Sequence, residues 1–260
     1  MPFTPAHPAA ILPLARPLRK WAVPSALVIG SMVPDFAFFL PLGVRRLESH
    51  SLTGLFWFCL PIGWSAYLLF HLLLKFPIHS LLPAFIARRL NQAIGETRLP
   101  KVSWLAVTIS LLVGAATHLA WDTFTHDGAP GVEAIAFLRA DVFAVGTYHV
   151  YAYRLLQYFS SVIGLLILGV WTFQWFRKSA IGPEPAVSLA LSQRLVVLAS
   201  LFGIPSACGL WSALPHLSFP LTGRSLELAA GSAIVSIFAT FGLLMLTFGL
   251  WWHLQPRQPN

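Results

Sequence analysis

The chain has 260 residues, of which 57% are hydrophobic and only 10% are charged. A soluble domain is about 25% charged, so this chain has too little polar surface to cover itself in water, and we interpret it as a membrane protein. Its 17 Lys and Arg residues against 9 acids suit loops that lie against an anionic leaflet. We expect no nucleic-acid partner, because the basic residues fall in short clusters between apolar runs.

The first fifty residues contain two short apolar runs, HPAAILPLA and VPSALVIGSMVPDF, which prolines interrupt and Arg16, Arg19 and Lys20 divide. Both runs are shorter than the about 20 residues that a spanning helix needs. We therefore predict a short helical hairpin that enters and leaves the same membrane face. The alternative is one longer helix over 21–42, which would make a sixth span.

Five later stretches are long and apolar enough to cross a membrane. They cover residues 52–74, 102–121, 155–176, 195–214 and 226–251. The predicted fold is an all-α, polytopic transmembrane helical bundle in one membrane-embedded domain over 1–260. Within it, 1–178 would form a core that carries the polar motifs, and 179–260 would add two transmembrane helices.

Two loops, 75–101 and 177–194, carry clustered Lys and Arg residues. Basic loops stay on the cytoplasmic side of a membrane. The five predicted spans put both loops on one side, so we expect a multi-pass protein of the bacterial cytoplasmic membrane with these loops in the cytoplasm. The polar motifs at the opposite ends of the helices then lie toward the outer face.

The second predicted span ends in GAATHLAWDTFTHDG, which places His118, Asp122 and His126 four residues apart. Such residues form one stripe if the helix continues that far. Ionisable residues inside a membrane segment are costly and rare without a partner. One interpretation is a His–Asp hydrogen bond that fixes two helices, and the other is one side of a metal site.

Further ionisable residues stand in apolar surroundings. Asp35 lies in SMVPDFAFFL, His50 begins the first long span in ESHSLTG, and His7 begins the first short helix. If the hairpin forms, His7 meets Asp35 near the membrane face of Asp122, whereas a full span over 21–42 would strand His7 on the other side. Imidazoles and carboxylates without thiolates are ligands for zinc or manganese.

In this order, the motifs HPAA, IGSMVPDF, SHSLTGLF and GAATHLAWDTFTH resemble those of an uncharacterised bacterial integral-membrane family, defined only as a domain of unknown function, over residues 1–178. The later YRLLQYFSS resembles the same family. The His/Asp pattern is further similar to YdjM-like membrane-bound metal-dependent hydrolases and, more distantly, to the zinc-dependent phospholipase C family. The resemblance implies these metal ligands: His7, Asp35, His50, His118 and Asp122.

The same resemblance makes His126 a sixth ligand or a catalytic acid/base. The chain lacks the additional upstream histidine of the YdjM-like second motif and the later HxxxE of the phospholipases, so we expect one or two divalent ions. For a substrate phosphate, Arg154 or Arg139 could supply a bidentate fork. Alternatively, Arg154 belongs with Tyr148, Tyr151 and Tyr153 to an interfacial belt.

These patterns favour a metal-dependent hydrolase that acts on a phosphoester of a lipid, or of another membrane-proximal or lipid-linked substrate. A metal ion in such an open site lowers the pKa of bound water toward about 7 and polarises a phosphoryl oxygen. A divalent-ion or small-solute transporter is the first alternative, but it needs polar groups at successive depths, which the last two spans almost lack. A structural membrane protein, in which the polar cluster joins helices, is the second.

Overall fold

The computed structural model describes residues 3–18, 21–95, 97–145, 148–183, 189–217 and 222–255. It is 77% helical, which confirms the all-α, polytopic fold. Five helices of these described ranges are long and apolar enough to cross a membrane: Leu55–Leu81, Trp104–Asp122, Ala152–Lys178, Leu191–His216 and Gly223–Leu254. Each contains most of one predicted stretch, so the chain is an integral membrane protein.

The N-terminal region is built from short pieces. They are the 3-10 helix Thr4–Ile11, the helices Ala15–Leu18 and Pro24–Gly30, the 3-10 helix Val33–Asp35 and the helix Phe36–Phe39. The alternative of one spanning helix over 21–42 is therefore wrong. Pro34 lacks the N–H that a continuous helix would use at this point, and the chain turns before it. The first arm returns to the second, because the Thr4 hydroxyl donates to the Asp35 carboxylate over 2.6 Å.

The short helix Pro24–Gly30 packs against the spanning helix Trp104–Asp122 with almost no side chain between the two backbones. A Cβ atom on Gly30 would lie 2.3 Å from a backbone oxygen of the long helix, and one on Gly114 would lie 2.4 Å from a backbone oxygen of the short helix. Small residues permit such close approach between membrane helices. The contact fixes the second arm of the hairpin beside the helix that carries the HxxxD motif.

The first spanning helix contains two π-helical stretches, Leu55–Cys59 and Phe70–Leu74. Each lies just before a proline, Pro61 or Pro77. Proline removes a backbone donor and crowds the preceding turn. The wider π-helical turns occur within the α-helix at these points.

The same helix continues beyond its predicted end at residue 74. Lys75 is a buried residue of this helix. The apolar sequence pattern therefore ends at Lys75, whereas the helix continues through it. The Lys75 ammonium donates to three backbone carbonyls around the end of the following helix, Ala84–Ile94; they belong to Ile94, Thr97 and Arg98, at 3.1, 2.6 and 3.0 Å. The predicted basic loop over 75–101 is thus partly helical.

The segment between the second and third spanning helices folds more than the sequence indicates. It contains the helix Pro130–Ala134, the 3-10 helix Ala136–Arg139 and two antiparallel strands, Asp141–Val145 and Tyr148–Tyr151. The second strand leads directly into the helix Ala152–Lys178. This segment therefore holds the start of the third spanning helix close to the end of the second.

The chain divides into two compact units. One comprises Met1–Tyr67 and Lys101–Trp175, and has an apolar cluster around Val33, Phe58 and Ala115. The other comprises Leu68–Pro100 and Phe176–Asn260, and its cluster includes Leu201, Met245, Phe248 and Trp252. All the predicted metal ligands belong to the first unit, and the predicted partition of the domain at residue 178 stays a prediction.

Candidate metal centre

The five residues predicted as ligands lie together at one end of the helix Trp104–Asp122. Their ligand atoms form two overlapping groups, in each of which they lie within 4.8 Å of one another: His7 with Asp35 and His118, and His50 with His118 and Asp122. No side chain of the five is more than 7% exposed. Four separate segments thus contribute to one buried polar cluster, which we call the His/Asp cluster.

Backbone carbonyls orient two of the imidazole rings. The Nδ1–H group of His118 donates to the Ser31 carbonyl over 2.7 Å, and Nδ1 of His50 lies 3.2 Å from the Arg46 carbonyl. A carbonyl only accepts, so its contact assigns a proton to Nδ1 of His118. Nδ1 of His50 also lies 2.9 Å from the Ser49 hydroxyl, which can donate to it. In His118 the contact aims Nε2 at the carboxylates, which is how proteins usually orient metal-binding histidines. The ring of His7 stacks on that of His118, with centroids 3.6 Å apart.

The Nε2 atoms and the carboxylate oxygens have the spacing of a coordination shell. Nε2 of His50 lies 3.2 Å from Oδ1 of Asp35 and 3.4 Å from Oδ2 of Asp122. Nε2 of His118 lies 3.6 Å from each of the same two oxygens. In a tetrahedral zinc site with bonds of 2.0–2.2 Å, the ligand atoms lie about 3.3–3.6 Å apart. Each of these imidazoles is therefore spaced from each carboxylate as two ligands of one small cation would be, and the two carboxylates belong to different groups.

Several atoms of the cluster are buried without a hydrogen bond. Within the described ranges, Nε2 of His7, of His50 and of His118, and Oδ1 of Asp122, have no hydrogen-bond partner. An unsatisfied buried polar atom costs about 1–3 kcal/mol, so several together call for an explanation. A divalent cation would satisfy lone pairs that otherwise face one another, and the donor set fits such an ion.

The two overlapping groups bear on the number of ions. Both use Nε2 of His118, and an imidazole nitrogen has a single lone pair. The groups therefore describe alternative surroundings of one ion. A second ion would have to draw on His7 or His126 and share a bridging carboxylate.

The surroundings keep His7 and His126 neutral and Asp35 ionised. Burial and, after it, the charge of neighbouring His118 lower the pKa of His7 to about 3. Burial likewise lowers the pKa of His126 to about 4, with a contribution from Arg46. Burial alone would raise the pKa of the Asp35 carboxyl, but the charge of His118 and hydrogen bonds from its neighbours hold it well below its usual value. Neutral imidazoles and ionised carboxylates are the binding forms, so a cation would displace the proton that gives His118 its charge.

Arg46 and Thr4 belong to the site, and the sequence pattern does not single out either residue. Nη2 of Arg46 lies 3.0 Å from Oδ2 of Asp122, and the Thr4 hydroxyl donates to Asp35. The only sequence signal for these two residues was their spacing from the predicted ligands. Arg46 precedes His50 by four residues and therefore shares its helical face, and Thr4 lies one turn of 3-10 helix before His7.

His126 lies beside the cluster although the helix does not reach it. The helix ends at Asp122 and turns replace it from Thr123 onward, so the condition for one continuous stripe is not met. Nδ1 of His126 nevertheless lies 3.5 Å from Oδ2 of Asp122, and its Nε2 lies 3.5 Å from the side-chain amide nitrogen of Gln157. His126 is therefore placed at the edge of the cluster, next to one carboxylate.

The arginines that were expected to hold a phosphate have other neighbours. Nε of Arg154 lies 3.3 Å from the hydroxyl oxygen of Tyr153 and donates to it, and Arg139 lies 3.5 Å from Glu133. The arginine that the structure brings to a carboxylate of the cluster is Arg46. The catalytic role of Arg154 stays a prediction.

A cavity of about 160 Å³ adjoins the cluster. Arg46, His50 and Asp122 form its polar wall, and the loop over 127–130 forms another part. A single water molecule needs only about 10–15 Å³ by this measure. The cluster is therefore accessible to a small ligand from one side.

Comparison with known proteins identifies the family. A family model described as a domain of unknown function, DUF4184, matches residues 1–250. The match continues past residue 178, where the recognised motifs end, and includes most of the last two spanning helices. No curated protein and no solved structure gives a significant match. With a match over nearly its whole length, this chain belongs to the DUF4184 family.

Proposed function

We propose that the His/Asp cluster binds one or two divalent cations and that the protein is a membrane-embedded metal-dependent hydrolase. Its substrate would be a phosphoester of a lipid or of another membrane-proximal molecule. The observation that carries the proposal is the arrangement of the imidazoles. Three buried, unpartnered Nε2 atoms, from His7, His50 and His118, lie 3.2–3.9 Å from carboxylate oxygens.

A divalent cation at this position would supply Lewis acidity toward a phosphoryl oxygen and lower the pKa of a bound water. The protein's own residues then have separate tasks. Backbone carbonyls hold the rings of His118 and His50, which fixes the positions of their Nε2 atoms. His126, whose Nδ1 lies 3.5 Å from Oδ2 of Asp122, is the proposed acid/base or further ligand. Arg154 remains the proposed contact to the leaving phosphate.

The ligand types favour zinc or manganese. Imidazole nitrogens and carboxylate oxygens bind both ions, whereas the thiolates that are common in structural zinc sites do not occur in the cluster. A cavity on one side is also typical of catalytic sites, which keep a position open for substrate.

The distribution of polar residues counts against a transporter. In the described parts of the last two spanning helices, the buried side chains are all apolar. A conduit needs polar groups at successive depths. The charge of the basic loops supports a cytoplasmic position for them, and the cluster would then lie toward the outer face of the cytoplasmic membrane, next to lipid headgroups.

The first experiment measures metal content and affinity. Protein purified in detergent should retain a divalent metal by elemental analysis, whereas His50→Gln and Asp122→Asn should lose affinity by more than the about 10–100-fold that loss of a ligand's hydrogen-bond partner costs. His79→Gln is the matched control, because His79 is also buried but bonds a backbone carbonyl outside the cluster. Metal retained equally in all four proteins would contradict the site.

The second experiment measures turnover. Wild-type protein should release phosphate or an alcohol from vesicles that contain phospholipid phosphomonoesters and diesters, should stop in a chelator, and should recover when zinc or manganese is added. A metal-loaded protein that hydrolyses none of these lipids, but carries the ion into proteoliposomes, would instead be a transporter.

A further inference from the structure

Arg46 has two environments at once. Its Nη2 atom lies 3.0 Å from Oδ2 of Asp122, while its side chain stays 31% exposed and lines the 160 Å³ cavity. Within the described residues, its Nε atom is buried without a hydrogen-bond partner. The guanidinium group therefore has donor capacity that Asp122 does not use.

Arg46 contacts the carboxylate of Asp122, which the candidate cation would also use. Oδ2 of Asp122 lies 3.4 Å from Nε2 of His50 and 3.6 Å from Nε2 of His118. A guanidinium group and a metal ion close to one oxygen repel each other and compete for it. A bound cation would therefore weaken the hold of Asp122 on Arg46.

The negative charge around the cavity falls when a cation binds. Without it, three carboxylates face one guanidinium group: Asp35 and Asp122 of the cluster, and Asp127 on the cavity wall. A divalent cation offsets two of these negative charges. An anion would then be repelled less from the cavity, and bind more readily, after the cation is present.

On the basis of the proposed function, we propose that Arg46 is an exchangeable counter-charge. It neutralises Asp122 while the cluster lacks a cation, and it binds the oxyanion of the substrate, a phosphate group, once a divalent cation has taken over Asp122. The planar fork of arginine suits two oxygens of one phosphate. The cavity has room for more than one water molecule. Arg46 thus couples loading of the ion to binding of the substrate.

The test uses full-length protein in detergent, with manganese and inorganic phosphate as calorimetric probes. Arg46→Gln should bind manganese about tenfold more tightly, because a competitor is gone, and metal-loaded Arg46→Gln should bind phosphate at least about tenfold more weakly. Arg45→Gln is the matched control. This substitution removes the same charge from the adjacent position. Arg45 itself pairs with Glu48 at 2.7 Å, and its side chain is 79% exposed. The affinities of the Arg45→Gln variant for manganese and for phosphate should both stay within about twofold of wild type.

The sign of the change in metal affinity decides the role of Arg46. If Arg46→Gln binds manganese more weakly, Arg46 only positions Asp122 and the proposal is overturned; unchanged phosphate affinity overturns it as well. Wild-type protein gives a test that needs no variant, since phosphate should bind at least about tenfold more tightly with manganese than in a chelator. Equal phosphate affinity in both conditions overturns the coupling while leaving the metal centre intact. A wild-type protein that binds no manganese or zinc rejects the proposed function itself.

A second ligand separates the two sources of phosphate. Short-chain phosphatidic acid should bind more tightly than inorganic phosphate if the anion is a lipid headgroup, because its acyl chains add apolar contact. Equal or weaker binding of the lipid indicates a free phosphate. Arg46→Lys, which keeps the charge without the fork, should retain wild-type metal affinity and show intermediate phosphate affinity. Phosphate affinity at the wild-type level in this variant would overturn the bidentate contact.

Discussion

Removal of the divalent cation should lower the thermal stability of the wild-type protein and leave that of Asp122→Asn nearly unchanged. The Asp35 and Asp122 carboxylates are both buried, and an oxygen of each lies 3.6 Å from Nε2 of His118. Without the cation they repel each other. Asparagine keeps the shape of Asp122 but removes the charge that binds the ion and opposes Asp35.

The size of the effect follows from these distances. Two oxygens that each lie 3.6 Å from one nitrogen are at most about 7 Å apart, so their repulsion is about 2 kcal/mol or more at an effective dielectric constant of 20. A cation at one hundred times its Kd stabilises the folded state by about 2.7 kcal/mol. For a chain of this length, each kcal/mol shifts the Tm by about 2–4 °C. Chelation should thus lower the wild-type Tm by about 5–10 °C.

Tryptophan fluorescence during heating in detergent, with and without a chelator, measures this shift. Glu133→Gln is the control, because the Glu133 side chain is 53% exposed and lies outside both the cluster and the cavity, so the wild-type shift should stay intact. If wild type shows no shift, or if Asp122→Asn shows the same one, the cluster is a hydrogen-bonded joint between helices and the metal centre is refuted.

Three further outcomes test the packing and the site. Gly114→Ala should lower the free energy of unfolding by about 1–3 kcal/mol, because its Cβ would lie 2.4 Å from a backbone oxygen, whereas Gly169→Ala, in open space, should be neutral or stabilising in the same denaturation assay. Thr4→Val removes a hydrogen bond to Asp35 and should weaken metal binding by about 10–100-fold in calorimetry. In a chelator, stability should fall on acidification below pH 6.5 by at least about 1.4 kcal/mol per pH unit, because the folded state keeps His7 neutral to about pH 3 and His126 to about pH 4, while the unfolded state protonates both. Melting temperatures that rise over this interval would contradict the environment of His7.

The spanning helices were predictable because the bilayer imposes a minimum length on apolar sequence. The residues at which these helices end were less predictable. The first span was predicted over 52–74 and forms Leu55–Leu81. Lys75 ended the apolar pattern, but in the folded chain its ammonium is satisfied by three carbonyls. Such a tertiary capping contact is invisible to a hydropathy window.

The ligand candidates were predictable for a different reason. His118 and Asp122 stand out because an ionisable residue in an apolar segment is rare without a function or a partner. Arg46 and Thr4 do not, since they lie in ordinary polar sequence. What brings their segments to the cluster is in part the close approach at Gly30 and Gly114, which depends on packing between distant residues.

The form of the N-terminal region follows from the site that it serves. The 3-10 helix Thr4–Ile11 has eight residues and the helix Pro24–Gly30 has seven, whereas isolated helices shorter than about 12–15 residues are only marginally stable. Thr4 and His7 are among the residues that the first arm buries, and both face the carboxylates of the cluster. Because the unfolded chain has no preformed site, binding of a cation would contribute its free energy to folding of this hairpin. The contacts of Thr4 and His7 with the carboxylates, rather than the thickness of the bilayer, therefore account for the position of the first arm.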